Sequence, residues 1–215
     1  MSSRRSISRT NATPAPPQRP DRPGLREAAL THLSRFATTE RALSQVLERR
    51  ILRWAQRATD AGLDAGEVSA AVTELRPLAE QIACEMTALG AVNDAAFAKA
   101  RAARLTRSGR SRRAVQTRLA AKGLDTSVID DALENALGEG DAGRDAELAA
   151  ALVFARKRRI GPFSPDGEGD DENEDSPRIL AAFARAGFSR DVAERALTTE
   201  RDEADERIHA LRNSA

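Results

Sequence analysis

Nine cations and no carboxylate occupy residues 95–124: Lys99, Arg101, Arg104, Arg107, Arg110, Arg112, Arg113, Arg118 and Lys122. Guanidinium and ammonium groups at this density suit one kind of chemistry. They neutralise phosphates and release the counterions condensed on a polyanion. Like charges in such a block repel one another until an anionic partner neutralises them. The candidate contacts are Arg104, Arg107, Arg110, Arg112, Arg113, Arg118 and Lys122. A second run, Arg156, Lys157, Arg158 and Arg159, comes shortly before seven acids with no base in 165–176. That run either meets the same partner or pairs with the acidic loop 164–176. The linker is short and the effective concentration high, so the loop would then act as a tethered mimic of the polyanion.

The residue types of a catalytic site are missing. Asp130, Asp131 and Glu134 have no His, Ser or Gly-rich partners nearby in sequence, and they read as the solvated face of a helix. There is no Gly-x-x-x-x-Gly-Lys-Ser/Thr loop to hold a nucleotide. The single cysteine, Cys84, excludes an internal disulfide and a multi-cysteine zinc site. It reads as a small core residue. His32 and His209 lie far apart without ligand-spaced partners, so no metal and no cofactor are expected, and the chain does not read as an enzyme. One tryptophan, no tyrosine and 3% aromatics argue against a platform that stacks bare bases. No apolar run reaches about eighteen residues, and the first residues lack the apolar stretch of a secretory signal. A cytoplasmic location is the expectation.

The elements that must position the cations are helices. Ala, Leu, Arg and Glu dominate the composition. Residues 1–22, rich in Ser, Pro and Arg, are expected to form a disordered basic tail. The first helix is expected over about 25–36, with Leu30, Leu33 and Phe36 inward. A second helix follows, capped by Thr38 or Thr39, with Leu43, Val46, Leu47, Ile51 and Trp54 as its apolar stripe. A third covers about 66–89, carrying Val68, Val72, Leu75, Leu78, Ile82 and Met86. Pro77 should kink or divide it. Asn93 can cap the next helix. In the cationic stretch, Val115 and Leu119 share one helix face, while Val128, Ile129, Ala132, Leu133, Ala136 and Leu137 form the next stripe. Gly109 and Gly123 mark the turns between segments. The stretch GEGDAG reads as a flexible join. A helix over about 144–159 carries Leu148, Leu152 and Val153 inward.

The plan then repeats. Shifted by sixty-four residues without a gap, Val115 falls on Ile179, Leu119 on Phe183, Gly123 on Gly187, Leu124 on Phe188, Val128 on Val192 and Ala132-Leu133 on Ala196-Leu197. Core positions and the glycine turn repeat together, which is the signature of a packing unit used more than once. The last pair of helices is expected over about 177–186 and from 190 into the charged tail. The fold class is therefore all-α: an elongated array of three tandem three-helix repeats with a disordered N-terminal tail. The boundaries are 23–90, 91–139 and 142–212, the last holding the acidic loop.

Two other classes compete. A short helix, a glycine and another helix can mimic the helix-turn-helix of a transcription regulator. The helix after Gly123, however, opens Asp125-Thr126-Ser127 and continues Asp130-Asp131, an acidic choice for a major groove. The other class is a helical scaffold with no nucleic-acid role.

The ordered motifs resemble the RecX family of RecA regulators over about residues 25–200. Arg35-Phe36-Ala37-Thr38-Thr39-Glu40-Arg41-Ala42-Leu43 followed by Leu47 is similar to its opening Arg-x-x-Ser-x-x-Glu-Leu-x-x-x-Leu. The run from Leu89-Gly90 through Asn93-Asp94 to Phe97-Ala98 is similar to its Gly-x-Leu/Ile-Asp-Asp-x-x-Phe/Tyr-Ala signature. Gly109, Val115, Leu119 and Lys122-Gly123-Leu124 fit its Gly-x-Gly-x-x-x-Ile-x-x-x-Leu-x-x-Lys-Gly-Ile segment. Ala186-Gly187-Phe188-Ser189 ends the third unit as in the family. Ser111 stands where the family has its second glycine, Arg101 where an aromatic is usual and Asn93 where the family has an aspartate. The resemblance implies a non-enzymatic protein that binds RecA, chiefly as the nucleoprotein filament on single-stranded DNA. It also implies restraint of ATP hydrolysis, strand exchange and SOS co-protease activity.

Overall fold

The computed structural model describes residues 16–164 and 176–213. Residues 1–15, most of the expected tail, lie outside them, and so do residues 165–175 of the acidic loop. Among the described residues there are ten α-helices, one 3₁₀ turn and no strand. The chain is all-α. It divides into two compact units, 1–36 with 40–92, and 37–39 with 93–215.

The first unit holds α1 (Arg22–Leu33), α2 (Glu40–Asp60) and α3 (Ala65–Ala88). Its core gathers Leu25, Ala29, Leu43, Leu47, Ile51, Trp54, Val68, Leu75, Ile82 and Met86. Several details differ from the sequence reading. Helix α1 begins at Arg22, because Asp21 caps it by accepting from Gly24 N at 2.9 Å and Pro23 suits its first turn. Its inward stripe is Leu25, Ala29 and, in part, Leu33, so Leu30 and Phe36 are left 49% and 58% exposed. Helix α3 runs unbroken through Pro77. Pro77 and Thr73, whose carbonyl loses its donor, both sit on the exposed face, so the freed carbonyl is open to solvent and not orphaned in the core. Cys84, expected inside, is exposed, because the buried positions around it are Ile82, Ala83 and Met86. Residues 16–21 are not a free tail: the Trp54 indole Nε1 donates to the Pro17 carbonyl at 3.1 Å, and Arg19 pairs with Glu74.

The second unit contains two cores. The first is α4 (Asp94–Arg107), α5 (Arg112–Ala120) and α6 (Thr126–Leu137), closed on Ala98, Ala102, Leu105, Val115, Leu119, Leu124, Ile129, Leu133 and Leu137. The other is α7 (Gly140–Arg158), the 3₁₀ turn Gly161–Phe163, α8 (Ser176–Arg185), α9 (Arg190–Thr198) and α10 (Arg201–Asn213). Phe163, Phe183, Phe188, Leu148, Leu152 and Ile208 fill it. The expected join GEGDAG is shorter than its composition implied, since the helix starts at Gly140 and only Gly138 and Glu139 lie outside it. The final helix is also divided. Thr199 leaves the helical region at ψ 132 while its hydroxyl donates back to the Arg195 carbonyl at 2.6 Å, and α10 starts two residues later.

The internal repeat is visible in the packing. Leu119 and Phe183 are both 0% exposed, Leu124 and Phe188 are 6% and 5%, and Ala132 and Ala196 are 3% and 0%. Gly123 and Gly187 both take positive φ, 76° and 89°, which only glycine adopts without strain.

Candidate nucleic-acid interface

The α4–α6 core displays most of the cations. Asn93 caps α4 through a 2.8 Å bond from Ala96 N, and Ser111 caps α5 through a 3.2 Å bond from Ala114 N. Val115 and Leu119 turn inward, so the rest of α5 is left to solvent. Arg104, Arg110, Arg112, Arg113, Arg118 and Lys122 are exposed and Arg107 is half-buried. Arg104, Arg110, Arg113, Arg118 and Lys122 have no carboxylate within ion-pairing distance among the described residues. Ion pairs collect elsewhere. In the last core Asp145 meets Arg207 at 3.3 Å and Arg195 at 4.0 Å, and Arg190 meets Glu194 at 2.6 Å.

The seven candidates of this stretch do not form one row. Arg112 and Arg113 line a cleft of about 760 Å³ together with Arg144, Gln116 and three carboxylates, Glu134, Glu139 and Glu147, so the cleft itself is of mixed charge. Arg107 and Lys99 share a groove of about 400 Å³ with Ala96, Ala100, Ala103, Asn135, Ala136 and Leu211. Arg118 lies five residues after Arg113, about 140° further round the helix. Lys122 sits at the turn before Gly123, where its carbonyl accepts from the buried Thr39 hydroxyl at 2.8 Å. A phosphate chain would therefore meet separate groups of cations.

The second run is largely engaged inside the unit. Arg156 pairs with Asp205 and lies 5.0 Å from the Phe163 ring centre. Lys157 Nζ donates to the Ser108 carbonyl at 2.8 Å, and the Arg158 guanidinium lies 4.9 Å over the Phe154 ring. Arg159 closes α7 in the left-handed region at φ 56°. The alternative partner, the acidic loop 164–176, lies outside the described residues except at its ends.

Two contacts that matter here carry no sequence signal of their own. Ser111, 0% exposed, donates its hydroxyl to the Ala186 carbonyl at 2.7 Å while capping α5. It thus ties the two repeats of the second unit at their glycine turns. Glu147, on α7, receives the Arg112 backbone N–H at 2.9 and 3.1 Å, so a carboxylate sits at the α5 N-terminus. Burial raises its pKa above the ordinary value, opposed by the Arg112 N–H and by the Arg112 charge. In the sequence Ser111 stands out only as the residue in place of the family's second glycine, which does not identify Ala186 as its partner. Nothing local marks the second contact.

Among the described residues no group of three His, Cys, Asp or Glu side chains is placed to hold a metal ion, and no helix is long and apolar enough to cross a membrane.

Comparison with known proteins places the cationic core in a family. Residues 93–133 match the family model described as RecX, second three-helix domain. The chain is 35% identical to the regulatory protein RecX of Myxococcus xanthus (strain DK1622), over 80% of this chain and 83% of that protein. It is 34% identical to the regulatory protein RecX of Mycolicibacterium vanbaalenii, over 57% of this chain and 65% of that one. It is 28% identical to that of Agrobacterium fabrum (strain C58 / ATCC 33970), over 54% and 56%. No solved structure matches the chain.

Proposed function

The chain belongs to the RecX family of regulatory proteins, and from that membership we propose that it binds RecA, as the filament on single-stranded DNA, and inhibits it. In this reading the protein is not an enzyme. It lowers the recombinase, ATPase and SOS co-protease activities of RecA in the cytoplasm, and so regulates DNA repair. The observation that carries the proposal is the α4–α6 core. It matches the family's second three-helix domain, and its exposed cations lack the ion pairs that arginines make elsewhere in the chain. Cations without carboxylates are stabilised by an external polyanion, and a filament containing DNA supplies one. The acidic residues Asp125, just before α6, and Asp130 and Asp131 on it oppose insertion of that helix into a major groove, which disfavours sequence reading of duplex DNA.

The test is RecA ATPase on single-stranded DNA with this protein titrated in. Progressive inhibition is expected, weakening as salt rises. Replacing Arg104, Arg110, Arg113 and Arg118 by Gln should lower the log-log salt slope of filament binding by about 3, at roughly 0.7 per phosphate on single strands. An ATPase indifferent to excess protein would refute the proposal.

A further inference from the structure

The first unit carries arginines that the reading above does not use. On α2, Arg49, Arg53 and Arg57 follow at four-residue intervals, and Arg50 stands three before Arg53. Neighbours at these spacings lie one above another, so like charges there weaken the helix. Arg50, Arg53 and Arg57 are exposed and have no carboxylate within ion-pairing distance among the described residues. The Arg53 Nε donates to the Arg49 carbonyl at 3.2 Å, a bond that leaves the charge uncompensated.

These three side chains rim a cleft of about 660 Å³ whose wall is the segment 17–21 and whose floor includes Trp54. The indole is 8% exposed and its N–H is held by the Pro17 carbonyl. The cleft has two acids on its opposite lip. Asp21 is committed to capping α1, and Glu27 is the remaining one. Pro17, Pro20 and the small exposed part of Trp54 thus line the cleft together with the three guanidiniums. Arg50 to Arg57 spans seven residues, about 10 Å along the helix. That is long enough to meet successive phosphates of one strand.

We infer that the Arg50, Arg53 and Arg57 row beside Trp54 is a separate contact site for the sugar–phosphate backbone of single-stranded nucleic acid. Guanidiniums take the phosphates, and Pro17, Pro20 and Trp54 take the sugars. The indole is only 8% exposed, so the site does not stack bases and reads no sequence. It is independent of RecA, and of the cations of α4 and α5.

The chain's one tryptophan makes the site its own reporter. The full-length protein is titrated with a twenty-residue oligothymidylate from 50 to 200 mM salt, following both labelled-oligonucleotide anisotropy and Trp54 emission. Binding should change the emission. The variant R50Q/R53Q/R57Q should lower the salt slope by about 2, so its disadvantage relative to wild type shrinks about fifteenfold across that salt range. The charge-keeping variant R50K/R53K/R57K should retain the slope, and it keeps the test open if the glutamine variant unfolds. R113Q/R118Q should still show the Trp54 change. A silent Trp54 signal, an unchanged slope in R50Q/R53Q/R57Q, or equally tight binding of polyglutamate or of vesicles of phosphatidylserine and phosphatidylcholine would overturn the assignment. RecA is absent from this assay, so its outcome is separate from that of the ATPase titration.

Discussion

Ser111 and Gly187 should be energetically coupled, and a double-mutant cycle can measure it. A Cβ built on Gly187 lies 2.6 Å from the Ser111 hydroxyl oxygen and 3.5 Å from Arg113 Cβ. Gly187 also has φ +89°, so alanine there adds backbone strain of about 1–2 kcal/mol. The overlap with the hydroxyl must push Ser111 aside and break its 2.7 Å bond to the Ala186 carbonyl, a loss of about 1–2 kcal/mol for a part-buried acceptor. Gly187→Ala should therefore cost about 2–4 kcal/mol. Ser111→Gly should cost about 1–2 kcal/mol, because glycine is a tolerable N-cap but cannot bond Ala186. In the double variant the hydroxyl is gone, so the methyl has room and the same bond is not lost twice. The double variant should fall short of the sum of the singles by about 1–2 kcal/mol. Urea unfolding followed by far-UV circular dichroism reads all four corners. Additivity within about 0.5 kcal/mol would show that the two turns do not meet as described.

Glu147→Gln should stabilise the protein at neutral pH. Burial raises the Glu147 pKa, so between its ordinary value of 4.5 and its raised value the folded state holds more protons than the unfolded one. Stability from this group falls as pH rises through that window and is level above it. Glutamine keeps an acceptor for the Arg112 N–H without a charge to desolvate, so the variant's advantage should be present at pH 7 and fade at pH 4. A gap that does not change with pH would contradict the burial argument. Cys84 should react as an accessible thiol in the native protein, titrating with Ellman's reagent as fast as in urea. Strong protection would place it back in the core.

How much of this was legible beforehand depends on the range of the physics. Helix periodicity placed Leu43, Leu47, Ile51 and Trp54 on one face, and Ile129, Ala132, Leu133 and Leu137 on another, and both faces are buried. Glycine conformations were legible at Gly123 and Gly187, because a positive φ at a helix end is a local demand. The absence of acids across 95–124 is a property of the chain itself. In α1 the periodic signal failed. Leu25, Leu30 and Leu33 allow more than one inward stripe, and the neighbouring α2 and α3 selected Leu25 with Ala29. Cys84 failed for the same reason, since an apolar segment does not say which of its sides is covered.

Composition and spacing alone determined that the chain is helical, where its glycine turns at Gly109, Gly123 and Gly187 fall and where its positive charge concentrates, since each of these is settled within a few residues. Only the tertiary structure decided which charges remain available. Arg156 is matched by Asp205 and Lys157 by the Ser108 carbonyl, both 49 residues away, and Ser111 by Ala186, 75 away. Such partners meet only when the cores close, and no local preference of the backbone encodes a meeting at that separation.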